Sequence, residues 1–216
     1  MLPLAFVACT VGAYRSSARE RKATMPGDRM IPRPMFGMTH AVTIDAPPER
    51  VWPWIAQMGA GRGGWYSYDF IDNGGRPSAS ALLEPYQQVK QGDLFPAVPG
   101  AKDGFIVLAV EAPHDLVLGG PPDPVRGQRA TWEFLLQPLQ RGRTRLIVRV
   151  RAAEHWLSGS GARDPGRPRR FIERVYGFMA HLPTPVLKGF AGFGHRAMQN
   201  EQLRGLQRRA EGRWSG

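Results

Sequence analysis

Between residues 38 and 152 the apolar positions change their period twice. His40, Val42 and Ile44 alternate with Thr39, Ala41 and Thr43, a two-residue period that predicts a first strand. Asp45 can cap a helix after that strand, and Pro47 and Pro48 suit a first helical turn. Val51, Trp52, Ile55 and Met58 then recur at three- and four-residue steps, predicting a short amphipathic helix over 48–58. The run GAGRGG (59–64) ends it, and the aromatic stretch WYSYDFIDN (65–73) predicts a second short helix. From residue 87 the two-residue period returns, with strands expected near 94–98, 105–111, 116–118, 130–137 and 145–152. The turns between them are short, which favours antiparallel neighbours. After a basic loop at 158–170, a helix is expected over 171–181, interrupted by Pro183 and Pro185. From Val186 to Ala210, Phe190, Phe193, Ala197, Leu203, Leu206 and Ala210 share one side of a long helix. The order of elements predicts an α+β domain: a curved antiparallel sheet, two short helices after its first strand, and a long C-terminal helix.

The ends differ from this body. Met1 to Tyr14 are uncharged and mostly apolar, and as a helix would span roughly 21 Å, short of a bilayer core of about 30 Å. Arg15, Arg19, Arg21 and Lys22 come directly after them. Three readings stay open for residues 1–24: the remnant of a membrane helix that starts upstream, an interfacial anchor, or a packed helix. Met1 to Lys22 is expected outside the domain core. Residues 25–37, with three prolines and two glycines, read as an extended connector, and 38–212 as the domain.

Charge sharpens the contrast. Residues 1–37 carry six basic and two acidic residues, 38–153 twelve and eleven, and 154–216 eleven and five, for a net +11 over the chain. The body is nearly neutral and the ends are basic. No recognition module or interleaving of aromatics with the basic runs points to nucleic acid. Two readings remain, a face for anionic lipid headgroups and a solubilising arginine-rich surface. The single cysteine, Cys9, allows no internal disulfide and no cysteine-based zinc site. A cytoplasmic location is the expectation, with membrane association through the N-terminus on two of the three readings of residues 1–24. No metal and no cofactor is expected.

The motifs carry a resemblance. VTIDAPPERVWPWIAQMGAGRGGWYSYDF (42–70), the preceding MPGDRMIP (25–32), and TWEFLLQPL with GRTRLIVRVRA (131–152) resemble bacterial members of the SRPBCC superfamily, which includes START, birch-pollen-allergen-like and polyketide cyclase-like proteins. The resemblance covers about residues 25–212. It implies a helix-grip fold with a ligand cavity, and far less about chemistry, because the fold hosts carriers, sensors and cyclases alike.

In such a fold the short helices seal one end of the sheet. The resemblance therefore makes Trp65, Tyr66, Tyr68 and Phe70 candidate cavity residues, together with Trp132 and Phe134 on a late strand and Phe190 and Phe193 on the long helix. The plainer reading of the same residues is core packing. For acid–base work the candidates are His155, after a strand, and Asp69; a structural histidine and a helix cap are the plainer alternatives. Arg149 and Arg151 lie on the face opposite Leu146, Val148 and Val150. They either meet a ligand carboxylate or sit on the surface. GAGRGG lacks the residues of a phosphate loop and reads as a tight turn. The expectation is binding or carriage of an apolar small molecule of lipid or polyketide type. The alternatives are a cyclase or dehydratase acting on a polyketide-like substrate, and an interaction protein whose cavity is filled by its own side chains.

Overall fold

The structure, a computed structural model, describes residues 14–100, 104–156 and 184–214, with side chains in the last stretch from Gly192 onward. Six strands form one sheet: β1 (Phe36–Ile44), β2 (Leu94–Pro96), β3 (Gly104–Glu111), β4 (Asp115–Gly119), β5 (Ala130–Leu139) and β6 (Arg143–Ala152). Their order is β1-β6-β5-β4-β3-β2, with every pairing antiparallel. β2 to β6 form a meander, and β1 closes onto the last strand. The helix α4 (Thr184–Ala210) packs across one face with β1 and α2 (Pro48–Ala56) as its main neighbours. This is the α+β helix-grip arrangement.

The two-residue period sets the faces. Val42, Leu146 and Leu136 fall in one register row, and His40, Val148 and Phe134 in the next, all turned toward α4. Leu203 and Leu206 of α4 meet them, and both are fully buried. α2 adds Val51 and Ile55 to the same core, and Met58 joins them just past its C-terminus. The aromatic run 65–73 yields only one helical turn, α3 (Asp69–Asp72), because Tyr66 takes a left-handed φ of 58° and turns the chain. The carbonyl of Tyr66 lies so close to α4 that a Cβ on Gly205 would overlap it. Glycine there lets the loop and the helix touch.

The segment expected as an extended connector is otherwise. A capped turn of helix, α1 (Ala18–Lys22), and a 3-10 turn at Pro26–Met30 lie along the outer face of the sheet. Met25, 2 % exposed, packs there on Ala41, Ile147 and Leu135. Arg149 is the fastener. Its guanidinium donates to the carbonyls of Glu20 (2.7 Å) and Ala23 (2.8 Å) and to Asp28 Oδ2 (2.7 Å). Arg151 pairs with Asp28 Oδ1 at 2.7 Å and donates to the Ile31 carbonyl. Both arginines are therefore neither free on the surface nor aimed at an inner ligand. They hold residues 20–32 as a strap. Met1–Ala13, the loop at 158–170, the helix expected over 171–181 and the side chain of Phe190 lie outside the described residues.

Candidate functional site

One end of the inner face is less tightly closed than the rest. Met38, Val150 and Trp132 form a register row there, and all three are half-buried, as is Phe105 on β3. Trp65, arriving from the loop after α2, stacks on Trp132 with ring centroids 5.3 Å apart and planes at 22°. Phe105 meets both indoles edge-on, and Phe134 tilts against Trp132 at 5.1 Å. Each indole N–H is satisfied: Trp65 donates to the Ala97 carbonyl (3.2 Å) and Trp132 to Gln199 Oε1 on α4 (3.0 Å). Such rings have only apolar faces left to offer.

Beside this row a cavity of about 530 Å³ opens between β1, the strap and α4. Met38 and Val150 give it an apolar wall, and His40, Asn200 and Arg196 a polar one. His40 faces His195 of α4, the ring centroids 5.8 Å apart at 67°. The Nε2 of each ring is shut away from solvent and makes no hydrogen bond among the described residues. Burial, and then the Arg196 charge, hold His40 down to about 4; burial, and then His40, hold His195 down to about 3. Both imidazoles are neutral near pH 7, each with one uncommitted ring nitrogen.

The structure distributes the sequence candidates widely. Trp65, Trp132 and Phe134 come together as an aromatic cluster beside the cavity, none of them among the residues that line it. Tyr66 belongs to the core: its hydroxyl accepts from Gln57 Nε2 at 3.0 Å, the Arg209 guanidinium lies over its ring, and burial pushes its pKa up. Tyr68 is exposed and Phe70 is 88 % exposed, because the turn at Tyr66 puts the residues after it outside. Phe193 is 67 % exposed and does not face the sheet. Asp69 accepts from the N–H and hydroxyl of Ser78 and braces the loop after α3, a structural bond rather than a free acid. His155 approaches the Gly127 carbonyl at 3.5 Å and is not among the residues lining the cavity. Among the described residues, no group of three His, Cys, Asp or Glu side chains is placed to hold a metal, and no helix is long and apolar enough to cross a membrane.

Met38, His40, His195, Arg196 and Asn200 were not singled out by sequence. Two signals pointed to them. His40 shares the inward phase of Val42 and Ile44, so the alternation itself sets a polar residue on an apolar face. His195, Gln199 and Gln202 fall at four- and three-residue steps that run into Leu206, a polar continuation of the apolar stripe.

No family model matches the chain, and no curated protein matches its sequence. Among solved structures, it is similar to the protein Ms6760 from Mycobacterium smegmatis (14 % identity, 82 % of this chain and 88 % of that one, TM-score 0.39). It is similar to the polyketide-cyclase-like protein Cgl2372 from Corynebacterium glutamicum (16 % identity, 82 % and 92 %, TM-score 0.42). It is also similar to the protein NE0264 from Nitrosomonas europaea (12 % identity, 82 % and 96 %, TM-score 0.45). An antiparallel meander closed by its first strand and gripped around a C-terminal helix is a helix-grip fold, the fold expected from the motifs in 25–70 and 131–152.

Proposed function

We propose that the protein binds an apolar small molecule, of lipid or polyketide type, against the open end of the sheet's inner face. The observation that carries this reading is the half-buried row Met38, Val150 and Trp132 beside a cavity of about 530 Å³. That volume falls within the roughly 300–1,000 Å³ of ordinary ligand sites, which are mostly apolar with a few placed polar groups. An environment-sensitive apolar dye tests it. Trp132→Leu is expected to weaken dye binding by about 1–3 kcal/mol, the scale of one large apolar contact. Phe70→Ala, far out in solvent, is expected to change nothing. A folded Trp132→Leu protein that binds the dye like the parent would sink the proposal.

A second reading is a cyclase or dehydratase, and the observation favouring it is the pair of neutral imidazoles with uncommitted nitrogens, one of them on the cavity wall. Imidazole is the commonest proton shuttle, provided it reaches the reacting group. On this reading His40→Gln keeps dye affinity and abolishes turnover of a polyketide-like test substrate. Unchanged turnover in that variant would remove the reading.

A further inference from the structure

We infer that the ligand of this cavity is an amphiphile whose polar end is an anion, with a carboxylate as the simplest case. The inference rests on the binding reading above and adds the chemistry of the ligand's head.

Among the described residues, five arginines line the cavity, Arg15, Arg21, Arg149, Arg151 and Arg196, and no Asp or Glu does. Three of the five are already engaged. Arg149 and Arg151 share Asp28, and Arg21 donates to the Ser16 carbonyl. Arg15 and Arg196 are different: neither guanidinium forms an ion pair or a hydrogen bond with any described residue. They come from separate elements. Arg15 precedes α1 and is tied to β1 by its bridge to His40, while Arg196 projects from α4. Two cations without a partner among the described residues thus share the rim of one cavity.

The rest of the lining fits a head and a tail. Met38 and Val150 give the cavity an apolar wall, with Trp132 next to Val150 in the register, which suits an apolar chain. His40 and Asn200 add polar groups to the wall near these cations. Guanidinium groups bind a carboxylate or phosphate oxygen pair by parallel N–H bonds, and such charge-assisted bonds are the strong ones. A purely apolar ligand, or one with an uncharged polar head, would give neither guanidinium a counter-charge.

The test compares tetradecanoate, its methyl ester and tetradecyl phosphate on the full chain, by displacement of the bound dye at low salt. The two anions are expected to compete at least tenfold more strongly than the ester. Arg15→Gln and Arg196→Gln, both side chains standing open to solvent, are expected to remove most of that advantage, weakening the anions far more than the ester. Ester and acid binding equally would overturn the inference and leave the apolar-ligand reading standing. Neither displacing the dye, with the dye itself bound at Trp132, would also overturn it. A dye that does not bind would overturn both. A membrane surface is the competing source of anions. If the double variant loses co-sedimentation with phosphatidylglycerol vesicles while acid and ester still bind alike, the arginines serve a membrane and not a cavity ligand.

Discussion

At the scale of single residues, the outer face carries the clearest electrostatic liability. Glu133 accepts from the Gly27 N–H at 3.1 Å and is buried under the strap, with Asp115 as its diagonal neighbour across β4 and β5. Burial first, opposed by that hydrogen bond, raises Glu133 to about 7; burial likewise raises Asp115 to about 6. The folded protein therefore binds these protons more tightly than the unfolded chain, whose carboxyls titrate near 4. Stability must fall as pH rises from about 4.5 through 7 on their account. The two histidines act oppositely, since depressed imidazoles lose stability as pH falls below about 6.5. The difference between parent and variant isolates the carboxyl. Glu133→Gln keeps an acceptor for Gly27 and is expected to be more stable than the parent at pH 8, by up to about 3 kcal/mol, with the gap closing toward pH 4.5. Urea denaturation at the two pH values checks it, and equal gaps at both would refute it. Very little of this was legible in sequence. The alternation of β5 places Glu133 opposite Trp132 and Phe134, but only the distant strap makes that face buried. Phe70 was misplaced for a related reason: an aromatic run has no readable phase once Tyr66 takes a left-handed turn.

At the scale of elements, the strands and the long helix were legible to within a few residues, because each buries one face and the period records it. The described part of α4 begins its apolar contact later than the stripe suggested. Phe193 stands in solvent, while Leu203 and Leu206 do the packing. What fixes the height of α4 against the loop after α2 is the contact of Gly205 with the Tyr66 carbonyl. Gly205→Ala improves helix propensity yet forces the two apart, and overpacking of this kind costs about 1–3 kcal/mol. A lower melting temperature, with helical content unchanged, is the expected result. A variant as stable as the parent would show that the loop yields. No sequence pattern announced this contact, since a glycine within a helix reads only as a weak point.

At the scale of the whole molecule, the basic N-terminal region is part of the folded body as far as it is described. Arg149 takes two carbonyls from residues 20 and 23, and Arg145 pairs with Glu20 at 2.7 Å. Deleting residues 1–24 leaves Arg149 buried with two of its acceptors gone, and a buried unsatisfied donor costs about 1–3 kcal/mol. The truncated chain is expected to melt several degrees lower, on the order of 2–4 °C per kcal/mol lost. A melting temperature unchanged within a degree would mean that the strap contributes nothing. The helix-grip arrangement itself was readable from the order of elements. The strap was not, because bonds between arginines and backbone carbonyls leave no periodicity. The sheet order has a kinetic consequence. β1 is made early, yet its partner β6 lies roughly a hundred residues further along the chain, a loop whose closure must precede any gain from the pairing. During synthesis, Phe36–Ile44 waits as an unpaired strand until Ala152 has left the ribosome, and that interval is when the nascent chain is most open to aggregation and most in need of a chaperone.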